Sequence, residues 1–329
     1  MRYFIMFWRI LTLMISIPFA FAGSYLLLHY MPFAKKLLGH DRGRKFVEGS
    51  EVNIGKPTGV GIYFMSVFFF AAMSFCTSGF RLRTLLLLAL ASCIFGFLDD
   101  RSISPWKEFV KGMIDIGISV TAGVFAAWYL SGDIVTPISA WIHIPFVIYA
   151  LLAAILFIVS INATNATDGV DGLSGSLTVI TIITLMIAAA LRESITFSSF
   201  LMGLIMILVL LPYLWFNKHP SKVLMGDAGS RGIGFFIALY CMVLRLPFAY
   251  LIVGLPFMLD GGISILKITV GRMTNKKVIL FKNIRTPLHD HLKKNKGFSI
   301  WKTYFTITGF AVIVDSIYLF VLLLIRIFG

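Results

Sequence analysis

The sequence is poor in charge and in thiols. Only 13% of its 329 residues are Asp, Glu, Lys or Arg, against 58% hydrophobic residues and a mean hydropathy of +0.90. That is too little charge to cover a water-soluble domain of this length, so the chain reads as a polytopic membrane protein. Acids are scarcer than bases, 15 Asp and Glu against 29 Lys and Arg, for a formal charge of +14. In a membrane chain such a balance reports anionic lipid and topology, and no nucleic-acid partner is expected. Three cysteines, Cys76, Cys93 and Cys241, lie in or beside apolar segments without CxxC or Cys/His spacing. Neither a disulfide framework nor a structural zinc site is expected from them.

What the sequence has in quantity is apolar length. Ten segments can cross roughly 30 Å of hydrocarbon: 3–29, 60–76, 80–98, 109–130, 143–161, 175–191, 198–215, 232–246, 247–270 and 303–327. The expected fold is an all-α bundle of about ten transmembrane helices, forming one integral membrane domain over residues 1–329. The eighth and ninth segments are separated only by Arg245-Leu246-Pro247. Cations orient the bundle. Of the 29 Lys and Arg residues, all but Arg2, Arg9, Arg81, Arg83, Arg192, Arg245 and Arg326 fall in or beside the loops after the odd-numbered segments. That side is assigned to the cytoplasm, which puts both termini outside. Met1-Arg2, the apolar run and Ala20-Phe21-Ala22-Gly23 together have the form of a cleaved signal peptide. The length of the run and the basic cluster Lys35 to Lys45 behind it favour an uncleaved span.

Polar motifs concentrate on the cytoplasmic side. Asn162-Ala163-Thr164-Asn165-Ala166-Thr167-Asp168-Gly169 continues through Asp171 to Gly175 after the fifth segment, and contains two N-glycosylation sequons. The modification requires the opposite compartment, so these are coincidental. Asp168 and Asp171, three apart on a helix or tight turn, would point the same way, and each is followed by a Gly that lets a ligand approach the backbone. Asp99-Asp100 ends the third segment, Met225-Gly226-Asp227-Ala228-Gly229-Ser230 precedes the eighth, and Pro287-Leu288-His289-Asp290-His291 lies between the ninth and tenth. The outer loop Ser131 to Trp141 carries a single charge. Taken singly, each motif has an ordinary explanation: adjacent acids solvate a helix end, Gly and Asp make turns, and a His pair in a basic loop faces water. Their coincidence on one face points to one shared site. Carboxylates, amides, Gly-rich turns and cations without thiols suit a magnesium ion shared with phosphate oxygens, and hence phosphoryl transfer between a soluble nucleotide and a lipid.

These motifs, in this order, resemble the polyprenyl-phosphate N-acetylhexosamine-1-phosphate transferases: LDD at 98–100, NATNATDGVDGL at 162–173, WFNKHP…MGDAGS at 215–230 and PLHDH at 287–291. The resemblance covers nearly the whole chain. Pro57-Thr58-Gly59, Trp215-Phe216-Asn217 and the Pro-Leu-His loop look most like the branch that uses UDP-N-acetylmuramoyl-pentapeptide and undecaprenyl phosphate. That branch implies a lipid-linked sugar pyrophosphate (lipid I) and UMP as products, in peptidoglycan synthesis at the bacterial plasma membrane, with Mg2+ as cofactor. It implies Asp227 as metal ligand and catalytic group, Asp99 and Asp100 handling the lipid phosphate, and His289 near the diphosphate. Thr58, Asn162, Asn165, Asp168, Gly169, Asp171, Asn217 and His291 would line the substrate site. Lys111 would contact phosphate or simply form an i,i+4 pair with Asp115. Members resembling this chain often pair in the membrane, so a homodimer is among the implied partners, beside the bilayer itself. Some positions depart from the pattern: His289-Asp290-His291 for three consecutive His, Lys293 for an acid, Gly297 one place late, Leu224 for an aromatic, Asp260 for Glu, and Arg231 for an aliphatic residue. These bear on donor choice. A UDP-N-acetylglucosamine transferase for another envelope polymer is the alternative within the class. A secondary transporter, the alternative outside it, would carry its charges near the bilayer centre, where only Asp115, Asp260 and Lys267 are candidates.

Overall fold

All ten apolar segments are helical in the computed structural model, which describes residues 2–30, 38–41, 53–77, 79–104, 106–130, 133–135, 141–275, 277–278 and 280–328. Most of the basic cluster Lys35 to Lys45 and of the loop Ser131 to Trp141 lies outside these residues. Helix α1 (Arg2–His29) is followed by a two-residue antiparallel pairing of β1 (Gly39–His40) with β2 (Pro57–Thr58). Then come α2 (Gly61–Phe75), α3 (Phe80–Arg101) and α4 (Glu108–Leu130). A short hairpin of β3 (Asp133–Val135) and β4 (Trp141–His143) leads to α5 (Phe146–Thr167), α6 (Leu173–Leu191), α7 (Phe197–Asn217) and α8 (Gly226–Val243). The ninth segment is two pieces, α9 (Pro247–Val253) and α10 (Leu255–Met273), bent by 56° at Gly254, and α11 (Ile300–Phe328) closes the chain.

Among the described residues, seven helices are long and apolar enough to cross a membrane, and eight if α9 and α10 count as one broken span. Helix α2 is apolar but only 15 residues long, and α8 spends its first turns on charged residues. The protein is therefore an all-helical, multi-pass membrane protein.

Helix α8 is the axis of the bundle. Its residues from Ala228 to Met242 are all buried, as expected of a helix that is apolar all round beyond its first turns. Helices α2, α3 and α5 pack directly on it. A Cβ on Gly61 would sit 2.1 Å from the Gly229 backbone, and one on Gly96 would sit 2.3 Å from the Asp227 carbonyl. Small residues let the backbones of α2 and α3 close onto the first turn of α8. Side chains satisfy backbone groups across helices where no water reaches: Ser160 Oγ donates to Gly234 O at 2.6 Å, and Ser24 Oγ to Val209 O at 2.7 Å. Helix α1 runs unbroken through Ala20 to Gly23 and packs on α7 and α2.

Several helix ends differ from those expected, and the largest differences, of up to six residues, are at the site. Helix α5 continues to Thr167 rather than stopping near 161, α3 includes Asp99 and Asp100, and α8 begins at Gly226 rather than 232. The polar residues do not end these helices because neighbouring helices cover them. Thr164 and Thr167 are fully buried, and a Cβ on Gly261 of α10 would lie 2.4 Å from Ala163 O.

Candidate active site

The site starts from the first turn of α8. Gly226 has φ +67°, a left-handed backbone that suits Gly, and a Cβ there would strike Asp100 Oδ2. The Asp100 carboxylate instead reaches the helix start: Asp227 N donates to Oδ1 and Ala228 N to Oδ2, each at 3.0 Å. Two of the orphan N–H groups of α8 are thus capped by an acid from α3, at the end of the helix whose dipole favours negative charge. This holds Asp227 in place.

Around Asp227 the charges alternate in a chain of five. Lys111 of α4 forms an ion pair with Asp99 of α3, and its Nζ lies 3.3 Å from Asp227 Oδ2. Arg231, one turn along α8, has Nε 3.4 Å from the same oxygen, and its Nη1 donates to Asp115 Oδ1 at 2.5 Å. The order is Asp99, Lys111, Asp227, Arg231, Asp115. The i,i+4 pair of Lys111 with Asp115 is replaced by these cross-helix pairs. The other Asp99 oxygen accepts from Trp106 N at 2.7 Å. Asn165 Nδ2 donates to Ser230 Oγ at 3.1 Å, and Ser230 Oγ to Gly226 O, which ties α5 to the same turn. Asn162, one turn earlier, donates to Ile158 O of its own helix. Asp227 is the most open of the five charged side chains, 20% exposed against 3% for Asp115, so a ligand meets it first.

A second group is built on turns. Asp168 caps α5, and the turn from Asp168 to Gly172 joins it to α6. Asp171 Oδ2 lies 2.7 Å from His219 Nδ1 and accepts from Ser221 N at 3.1 Å. Burial alone would raise the Asp171 carboxyl. Hydrogen bonds from His219 and Ser221, with the charge of Lys56, outweigh it and hold the group below its usual value. Lys56 Nζ in turn donates to Ser221 Oγ at 3.0 Å. Asn217 is buried with both ends of its amide engaged, accepting from Gly172 N at 2.8 Å and donating to Val223 O at 2.7 Å. It fixes the turn. His289 is buried against Asp260, which accepts its backbone N–H at 2.6 Å and lies 2.8 Å from Nδ1. A Cβ on Gly169 would fall 2.3 Å from His289 Nε2, so the His loop and the Asp168–Gly172 turn are in contact. Lys293 Nζ reinforces this by donating to Gly169 O at 3.2 Å. Burial also works to raise Asp290, but His289, Lys293 and Lys294 around it bring it below the usual carboxylate value.

The structure therefore joins Asp99, Asp100, Lys111, Asp227 and Asn165 in one group, and Gly169, Asp171, Asn217 and His289 in the other. Asn165 and Asp168 lie on the same end of α5 and link the two. Thr58 sits on β2, whose neighbour Pro57 accepts from Leu224 N beside α8. His291 accepts from Arg285 N within its own loop and is not drawn into either group by that contact. Sequence reasoning missed His219 and Lys56; the Lys218-His219-Pro220 turn directly after an apolar helix was the available signal for the first. Arg231 stood out only as a departure from a pattern, and Asp260 as a departure and as a deep charge; both hold site residues.

The sequence profile described as glycosyl transferase family 4 matches residues 82–245, from α3 to the end of α8, and so takes in the whole charge chain. A phospho-N-acetylmuramoyl-pentapeptide-transferase of Treponema pallidum (strain Nichols) is 32% identical over 299 residues, covering 84% of this chain and 80% of that protein. The chain belongs to glycosyl transferase family 4. Proteins of the same description in Shouchella clausii (27% identical over 315 residues, 90% of this chain and 93% of that protein) and Acinetobacter baylyi (32% over 103 residues, 31% and 26%) also match. This family 4 member is a membrane-embedded sugar-phosphate transferase of the polyprenyl-phosphate type that its motifs resemble.

Proposed function

We propose that this family 4 transferase moves phospho-N-acetylmuramoyl-pentapeptide from its UDP donor to undecaprenyl phosphate, at the cytoplasmic face of a bacterial membrane, for peptidoglycan synthesis. An oxygen of the lipid phosphate attacks the β-phosphorus of the donor, the bond to the α-phosphate oxygen breaks, and UMP leaves. The observation that carries the reading is the alternating chain around Asp227 at the capped start of α8, together with a relative so named over most of the chain.

The donor set fits magnesium. Three carboxylates in the chain face two cations, leaving negative charge for a divalent ion. Among the described residues no three His, Cys, Asp or Glu side chains form an all-protein cage. Magnesium ordinarily takes one or two carboxylates and completes its shell with substrate phosphates and water. Asp227 would hold it, and the ion when bound would neutralise charge on the pyrophosphate. The protein's own groups do the positioning. Asp100 fixes Asp227. Asp99, with one oxygen on Trp106 N and the other on Lys111, holds Lys111 where a lipid phosphate would meet its ammonium. That phosphate is largely ionised at neutral pH, so electrostatic positioning suffices without a full general base. Asp171, His219 and His289 would shape the nucleotide and diphosphate end.

The cation distribution supports ten spans with both termini outside and the site in the cytoplasm. Cysteines introduced at the exposed Lys222 and Lys296 should react with an impermeant reagent only when it is inside the cell; labelling of either from outside would reverse the orientation. Cys76, Cys93 and Cys241 are buried and give little background.

A second donor, UDP-N-acetylglucosamine, is favoured by one feature: the Asp290–Lys293 pair, 3.4 Å apart, sits on the loop that touches Gly169. The test supplies purified protein with undecaprenyl phosphate, magnesium and each labelled UDP-sugar in turn. Lipid product from the muramoyl-pentapeptide donor, abolished by chelation and restored by magnesium, is expected. Product from the simple sugar alone would replace the first reading by the second.

A further inference from the structure

Arg231 is the least expected member of the charge chain. Its side chain is 8% exposed and faces two carboxylates of opposite standing: Asp115, deep on α4 and 3% exposed, and Asp227, the open one. Nη1 makes a 2.5 Å hydrogen bond to Asp115. Nε lies 3.4 Å from Asp227 Oδ2, yet among the described residues it has no hydrogen-bond partner. The guanidinium is thus bonded to one acid and acts on the other through its charge alone. Lys111 stands on the far side of Asp227 at 3.3 Å, so the carboxylate is opposed by a cation on each flank. Lys111 is itself shared with Asp99, as Arg231 is shared with Asp115. How much positive charge Asp227 feels depends on how firmly each distal acid holds its cation.

We infer that the Arg231–Asp115 pair sets the divalent-ion affinity of Asp227. The inference rests on the reading of Asp227 as the metal carboxylate. A fixed cation a few ångströms away in a site this buried works against a second cation on the same carboxylate. Asp115 offsets part of that opposition. The result is a carboxylate that holds a divalent ion weakly alone and firmly once pyrophosphate oxygens join it, so that metal and nucleotide are retained together. Arg231 and Asp115 act here as positioning residues and do not themselves meet the reacting atoms.

Removing the whole pair and removing its acid alone predict shifts of opposite sign, which a loss of folding cannot imitate. Mn2+ alone is titrated into purified full-length protein and the free ion is read by its electron paramagnetic resonance signal. Removing both charges, in Arg231→Leu with Asp115→Asn, should tighten Mn2+ binding by about tenfold, because Asp227 loses an opposing cation without stranding a buried charge. Asp115→Asn alone should weaken it by several-fold, about threefold to tenfold, because Arg231 is left to Asp227. Arg231→Lys with native Asp115 should stay near wild type. Shifts in the same direction for the first two variants, or affinities within about twofold of wild type for both, would overturn the inference while leaving Asp227 as the ligand. Mn2+ binding that Asp227→Ala does not diminish would instead remove the metal reading, and this inference with it.

Discussion

The carboxylates around Lys111 are carried on packed helices, whereas Asp171 sits on a turn and Asp290 in the His loop, with Asp260 of α10 reaching that loop from a helix. In the first group α2 and α3 are pressed onto α8 at Gly229 and Asp227, Asp100 caps α8, and every charge has a neighbour on another helix. In the second, the contacts are made at turns: His219 and Ser221 hold Asp171, Asn217 at the end of α7 holds the Gly172 turn, and Lys293 reaches Gly169. The departures from the family pattern fall unevenly across this division. Lys293, the His289-Asp290-His291 order and Asp260 all belong to the turn-built group. Of the helix-built group, only Arg231 departs, and it brings Asp115 with it as a partner. A rigid charge chain suits the phosphoryl step, which is the same for every donor. Loop contacts suit the recognition of a particular sugar.

The largest effect should come from the helix-built group. Asp227→Ala should lower turnover by about a thousandfold or more, since it removes the open carboxylate of the chain. The protein should still extract and elute as a folded species, because Ala keeps the helix and Asp100 still caps the Asp227 position through the backbone. Residual turnover within tenfold of wild type would move the chemistry away from α8.

A smaller effect, of a different kind, is expected from Asp171→Asn. The Asp171 carboxyl is held below its ordinary value in the folded protein, so its contribution is fully present above the unfolded value and is lost as pH falls through the depressed folded one. Wild type should exceed the variant by about 1 kcal/mol at neutral pH, the worth of a hydrogen-bonded charge relative to a neutral amide. The gap in thermal midpoint, measured in one detergent, should narrow as pH falls below the ordinary carboxylate range and close once pH is below the depressed folded value. A gap that is constant with pH would mean the hydrogen bonds, and not the charge, hold the turn.

The same contrast explains what could be read from the sequence. Apolar runs gave the positions of ten helices, because hydrophobic length is a local property. Their ends at the site could not be read locally. Thr164 and Thr167 look like loop residues until α8 and α10 cover them, and Asp99 and Asp100 look like a solvated helix end until α8 arrives. The Asp100 cap joins residues 127 apart in the chain, and the Arg231–Asp115 pair joins residues 116 apart. No pattern within a segment encodes either. Residue types marked which polar groups to follow, but not what each would touch: Asn217, expected to line the substrate site, has its amide on two backbone groups.

The smallest effect bears most directly on the division itself. Lys293 Nζ lies 3.4 Å from Asp290 and donates to Gly169 O at 3.2 Å, on a side chain 23% exposed. A partly solvated pair of this kind contributes little to stability, about 1 kcal/mol at most, so Lys293→Glu should fold as wild type does. It would nevertheless place a second acid beside Asp290 and release the Gly169 carbonyl, loosening the contact between the His loop and the Asp168–Gly172 turn. If the turn-built group reads the donor, KM for the UDP-sugar should rise by about threefold to tenfold with kcat nearly unchanged, the signature of lost binding shared by ground and transition states. A fall in kcat at constant KM would place Lys293 with the charge chain, and the two groups would then be one.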